Sequence, residues 1–165
     1  INIEPDLATK RDIVQNAIDL AHALGNPCPK VAILSAVEKV KPQIQSTIDA
    51  AALCKMADRK QITGAIIDGP LAFDNAISLE AAEQKGIDSP VAGDPDILVV
   101  PDLVSGNILA KQLTFLGHAS SAGLVMGARV PVALTSRAEN VASRVVSAAL
   151  AALVAVQQQQ APLKK

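Results

Sequence analysis

The chain has 165 residues, 50% of them hydrophobic and 19% charged, with 15 basic and 16 acidic side chains and a net charge of −1. That balance, with two Phe as the only aromatics, offers neither a cationic stripe for a phosphate backbone nor stacking platforms for bases, which argues against nucleic-acid binding. The length fits one domain with a sizeable core built from Ala, Val, Leu and Ile, and the low charge argues against disorder.

The chain begins at Ile1, which fits a fragment or a processed chain, and its first residues lack the basic stretch of a secretory leader. Residues 6–24 read as a helix, because Ile13, Ala17, Leu20 and Leu24 recur at helical spacing and Gly25 follows as a stop. Asn26-Pro27-Cys28-Pro29 is a turn, and residues 31–34 form a short apolar strand. Pro42 suits a first helical position, with Ile44 and Ile48 continuing a stripe toward Ala57. Residues 64–67 read as a strand stopped by Asp68-Gly69-Pro70, a turn sequence. A short helix over 78–85 and a strand over 96–100, ended by Pro101, come next. Ser105-Gly106-Asn107 opens a helix that runs to Leu116, with Gly117 beyond its end. Two more strands are predicted at 122–126 and 130–134, and a last helix at about 140–156. The apolar run 145–156 is shorter than the roughly 20 residues of a membrane span, so a buried helix is expected. Residues 1–156 form the domain and 157–165 a polar tail.

Short apolar strands alternating with helices predict an α/β fold, a three-layer sandwich with helices on both faces of the sheet. Only Gly127-Ala128-Arg129 separates the last two strands. A parallel crossover needs a dozen residues or more, so these two are expected to be antiparallel, in a mixed, mostly parallel sheet.

The P-loop, dinucleotide, zincin and esterase signatures are absent. His22 and His118 have no partner at ligand spacing and read as packing or surface residues, and no metal site is expected. Cys28 and Cys54 lie far apart and read as reduced thiols, which fits a cytoplasmic protein. Polar loops after strands are the places where open α/β sheets bind ligands. Three qualify: Asp68-Gly69-Pro70 with Asp74 beyond it, Ser105-Gly106-Asn107, and Thr135-Ser136-Arg137. A helix start suits an anion, Gly106 would admit a ligand close to the backbone, and Asn107 and Lys111 share a helix face. Ser136 with Arg137 supplies a hydroxyl and a planar fork for phosphate or a developing oxyanion. The plainer alternatives are a helix cap at Ser105 or at Thr135-Ser136, a turn glycine, a solvated lysine, and an ordinary turn at Asp68-Gly69-Pro70.

Three stretches in order carry a resemblance. They are the fifteen residues from Gly64 through Asp68-Gly69-Pro70 and Asp74-Asn75-Ala76 to Ser78, then Pro101-Asp102-Leu103-Val104-Ser105-Gly106-Asn107 through Lys111, and Gly127-Ala128-Arg129-Val130-Pro131-Val132 leading to Leu134-Thr135-Ser136-Arg137. They resemble the phosphate acetyl/butyryltransferase (phosphotransacylase) family, most closely its butyryl-type branch or the branch fused to a hydratase-like domain. Asn2, Pro5, Lys10 and Asn16-Ala17 fit the same pattern, and the resemblance extends to about Val156.

It implies an isocitrate/isopropylmalate dehydrogenase-like fold, of which this chain would be the second domain plus the C-terminal helix. It implies an acyltransferase that converts acyl-CoA and phosphate into acyl phosphate and CoA. Coenzyme A and phosphate are then substrates, with no other cofactor. An upstream domain and a homodimer are the implied partners, with neither nucleic acid nor membrane, and the fragment alone is expected to be inactive. By resemblance Ser136 stabilises the tetrahedral intermediate and Arg137 binds phosphate or CoA. Asp68, Asp74, Gly106, Asn107 and Lys111 contribute to substrate binding. Acetyl-specific members carry a base aspartate seven residues after the serine, where this chain has Ser143. The butyryl-type acid lies nearer, at the position of Glu139, which is the first candidate base, with Asp68 and Asp74 as weaker ones. A non-catalytic acyl-CoA sensor and a dimerisation module are the alternatives.

Overall fold

A computed structural model describes residues 2–160. Helix α1 (Leu7–Ala23) begins at Asp6, whose carboxylate accepts the Thr9 amide at 2.8 Å. It ends at Leu24, and Gly25 leaves it at φ +92, a conformation glycine tolerates without strain. Strand β1 (Lys30–Leu34), helix α2 (Gln45–Asp58), strand β2 (Ile66–Leu71), helices α3 (Phe73–Ile77) and α4 (Leu79–Gln84) and strand β3 (Ile97–Val99) follow. Helix α5 (Leu103–Phe115), strands β4 (Leu124–Val125) and β5 (Val132–Ala133) and helix α6 (Val141–Gln160) complete the order.

β1 is the centre of a parallel sheet ordered β2-β1-β3. Its side chains alternate between two cores, as the pleat requires. Val31 and Ile33 pack with Val14 and Ile18 of α1 and Ala50 and Leu53 of α2. Ala32 and Leu34 pack on the opposite face with Leu71, Ala76, Ala82, Val91 and Leu109. The fold is therefore α/β with helices on both faces of a three-stranded sheet.

Four expectations need correction. The sheet is not mixed: β4 and β5 are antiparallel, as expected, but form a separate two-stranded sheet. Asp68-Gly69-Pro70 does not stop β2, which runs through it to Leu71. β2 is an edge strand and its pairing shifts register between Ala32 and Leu34, a setting that tolerates proline. Gly69 lies where a Cβ would meet Ile33 Cβ and O at 2.8 Å, so close approach of the backbones explains it. Pro42 is not in α2, because the Ile44 amide donates to Lys41 O and the buried Thr47 hydroxyl accepts the Lys41 amide with its one proton within reach of the Lys41 and Ile44 carbonyls, holding 41–44 as a turn. α6 is not a buried helix: the window Val141–Gln159 has mean hydropathy 1.5 and is only 11% buried, long and apolar enough to cross a membrane by length and composition alone. It turns Ser143, Ser147 and Val154 inward and leaves Val141, Val145 and Val146 exposed. Residues 157–160 of the expected polar tail continue this helix, and 161–165 lie outside the described residues.

Candidate functional site

A groove of about 1130 Å³ lies between α5 and the segment that leads from β5 into α6. One wall is a single face of α5 and its exit, where Asn107, Lys111, Thr114 and His118 follow at helical spacing. The other wall carries Ser136, Arg137 and Glu139, with Ser143 and Val146 of α6 behind them. Five of the eight predicted site residues thus meet around one cavity.

The β5–α6 segment is held by local hydrogen bonds. Leu134 N donates to Gly123 O at 3.0 Å, and a Cβ on Gly123 would collide with the Leu134 carbonyl oxygen. Residues 136–139 close a turn in which the Glu139 amide donates to Ser136 O at 3.1 Å. The Glu139 carboxylate accepts the Ser136 amide at 3.2 Å through one oxygen and the Ser121 hydroxyl at 3.2 Å through the other. These bonds fix its orientation against the Ser136 backbone. Asn140, not Thr135 or Ser136, caps α6, its side chain accepting the Ser143 amide at 2.9 Å. Ser147 Oγ accepts the Gly123 amide at 3.0 Å and donates to Ser143 O at 2.7 Å, which seats the hairpin on α6. Lys111 and Arg137 are exposed and take part in none of the ion pairs among the described residues, so both cations face the groove free of carboxylate partners.

The other three predicted residues lie elsewhere. Ser105 and Gly106 do not open α5. Asp102 is its cap, accepting the Ser105 amide at 2.8 Å and the Ser105 hydroxyl at 2.9 Å. Those bonds hold the Asp102 carboxyl below its usual range. A carboxylate thus occupies the helix start that was expected to receive an anion. A Cβ on Gly106 would stand 2.8 Å from Val100 Cγ2, so this glycine lets α5 lie close to the end of β3. Asp68 sits within β2 and accepts the Gly69 amide at 2.8 Å. Asp74 is exposed and bound to Lys85 at 2.8 Å, and that hydrogen bond holds its carboxyl below the usual range. Neither aspartate lines the groove.

His118 and Ser121 line the groove although neither was expected there, and Ser143, at the expected position of an acetyl-type base, lines it too. The spacing of 107, 111, 114 and 118 was a usable signal for His118. Ser121 had none, because it meets Glu139 across 18 residues of chain. His22, by contrast, fits its expected packing role, with Nε2 at 2.8 Å from Gly64 O. Among the described residues no cluster of His, Cys, Asp and Glu is arranged to hold a metal ion.

Residues 1–152 match the model of the phosphate acetyl/butaryl transferase family, and the chain belongs to that family. It is 66% identical over 161 residues to a phosphate acetyltransferase of Rhizobium meliloti, covering 98% of this chain and 51% of that protein. It is 52% identical to a probable phosphate butyryltransferase of Bacillus subtilis, covering 92% of this chain and 50% of that protein. Among solved structures, a branched-chain phosphotransacylase from Enterococcus faecalis V583 superposes with a TM-score of 0.84 at 40% identity, over 93% of this chain and 57% of that one. The chain spans about half the length of the relatives it matches.

Proposed function

We propose that this chain supplies one wall-pair of a phosphotransacylase active site, for the reaction of acyl-CoA with phosphate to give acyl phosphate and CoA. In the synthetic direction a phosphate oxygen bonds to the thioester carbonyl carbon, the C–S bond breaks, and the leaving thiolate takes a proton. In reverse the CoA thiolate attacks the acyl-phosphate carbonyl and phosphate leaves. Both directions pass a tetrahedral oxyanion that needs a donor. Ser136 donates its hydroxyl to that oxygen, and Arg137 holds the phosphate through two parallel N–H bonds. Glu139, oriented by Ser121 and the Ser136 amide, exchanges the proton with the thiol sulfur. Asn107 and Lys111 hold phosphoryl groups from the opposite wall. Gly106 acts by bringing that wall close to the sheet, while Asp68 and Asp74 serve the fold rather than the groove.

The observation that carries this reading is the meeting of Ser136, Arg137 and Glu139 with Asn107 and Lys111 around one groove, from segments well separated in the chain, in a family matched along nearly its whole length. The chemistry uses CoA and phosphate as substrates and calls for no metal or redox cofactor, and it fits a cytoplasmic enzyme. Exposed apolar side chains on α5 and α6 support further partners: the remaining half of a two-domain, isocitrate/isopropylmalate dehydrogenase-like enzyme, and a second subunit against the Ala-rich side of α6. The acyl group is acetyl or butyryl, after the names of the relatives.

The test is Ser136→Ala in the full-length protein, assayed with acetyl-CoA and butyryl-CoA. A loss of about 100-fold in kcat with the KM for CoA little changed is expected for a lost oxyanion donor. Wild-type values of both constants would remove Ser136 from the reaction.

A further inference from the structure

His118 is the charged-capable residue of the groove to which the acyl-transfer roles assign nothing. It lies three residues beyond the end of α5 yet on the same wall as Lys111 and Thr114. Its backbone is left-handed, at φ 52, a region where a Cβ is disfavoured. The preceding Gly117, which could adopt it freely, is not among the residues with positive φ. The conformation is pinned from both sides, because the Gly117 amide donates to Gln112 O and the Ala119 amide to Leu113 O, each at 3.0 Å. The backbone at His118 is therefore fixed at the groove wall by the last turn of α5, at the negative end of that helix, where a cation is favoured.

The charges that share the groove are Lys111 from α5 and Arg137 and Glu139 from the β5–α6 turn, while α6 contributes the uncharged Ala142, Ser143 and Val146. Two permanent cations against one carboxylate leave one excess positive charge. A protonated imidazole makes it two, which matches a phosphoryl dianion. Histidine is the side chain whose ordinary charge change falls in the physiological range.

We propose that His118 is a proton-gated phosphoryl-binding residue. Its imidazolium takes a phosphoryl dianion together with Lys111 and Arg137, and the hold weakens when the ring loses its proton. The inference rests on the acyl-transfer reading only for the expectation that phosphoryl groups enter this groove. Inorganic phosphate and the phosphates of CoA share the chemistry, and the experiment separates them.

The experiment is an imidazole NMR titration of the full-length protein, alone, with saturating inorganic phosphate, and with saturating CoA. His118 is assigned by its absence in His118→Asn, since asparagine suits a left-handed backbone. Sequential assignment through residues 117–119 serves if that variant does not fold. His22, bonded to Gly64 away from the groove, is the internal control. A bound dianion raises the His118 midpoint by about half a pH unit, equivalent to roughly threefold tighter binding to the protonated form, and leaves His22 unmoved. The arm that produces the shift identifies the source. A His118 midpoint that stays put in both arms overturns the proposal. If acyl-CoA is turned over while His118 does not shift, this inference fails alone. If His118 shifts but no acyl phosphate forms, the acyl-transfer reading fails and the anion site stands.

Discussion

Lys10 and Asp49 join α1 to α2 at 2.6 Å, with 11% and 9% of their side chains exposed. Gln45 donates to the second Asp49 oxygen at 2.9 Å. Removing the cation alone leaves a buried carboxylate half satisfied. Lys10→Met is therefore expected to cost about 3–5 kcal/mol, read as a lower urea midpoint. A midpoint equal to wild type would mean that water reaches Asp49. The two thiols are expected to differ in the same physical way. Burial, then Asp68 and Asp58, pushes the Cys54 thiol up to about 12, whereas Cys28 is exposed. Iodoacetamide at pH 8 should label Cys28 in the native protein and reach Cys54 only after denaturation, as peptide mass spectrometry will record. Equal labelling rates would contradict the packing of α2 on β2. At this scale the sequence alone pointed to Ser136, Arg137, Glu139, Asn107 and Lys111 as groove residues. It did not show that Asp68 lies within β2 instead of a loop, because a strand and a loop can carry the same Asp-Gly-Pro letters.

The start of α5 shows how capping decides an element. Asp102 and Ser105 both have cap chemistry, and Asp102 prevails because Val104, Ser105 and Gly106 continue the helical turn over Val100. Asp102→Ala should lower stability by about 1 kcal/mol. The sign of its pH dependence follows from the lowered carboxyl: the contribution is present above the ordinary value of 3.8 and fades as pH falls through the lower folded value. Denaturation midpoints of wild type and variant should therefore converge below pH 3.8. A constant gap down to the most acid pH would refute the carboxylate's role. The β4–β5 hairpin depends on Gly123 in turn, where a methyl would run into Leu134 O. Gly123→Ala should displace residues 134–139 and, on the proposed reaction, lower kcat in the full-length protein, and a wild-type kcat would show that the hairpin absorbs the methyl. Periodicity located α1, α2 and α6 to within a few residues. It could not show that β2 passes through a proline, because only pairing with β1 and the register shift beside it accommodate the missing N–H.

Burial is unevenly distributed across the molecule. Both cores lie between residues 7 and 109, whereas α5 buries no residue fully and exposes Val104, Ile108 and Phe115, with Leu116 exposed just beyond its end. Val130, Val132, Leu134, Val141, Val145 and Val146 add a second apolar area on β5 and α6. Large apolar side chains exposed in such number leave apolar area that a partner surface would cover. The 165-residue chain by itself should therefore bind an apolar dye, self-associate in sedimentation velocity, and form acyl-CoA from acetyl or butyryl phosphate at a negligible rate. Robust turnover by this chain alone would show that the groove is catalytically complete without further segments.

What the sequence by itself determined were the local properties: the α/β alternation, most helix limits, the antiparallel final strands and the motifs of the family. These depend on periodicity, capping and residue identity within a few positions of one another. Only the tertiary structure decided that β4 and β5 stand apart from the parallel sheet, that α6 is largely exposed, and that His118 and Ser121 join the groove. Those outcomes depend on which surfaces meet. A contact between residues far apart in the chain, such as Ser121 with Glu139, leaves no periodic trace in the sequence.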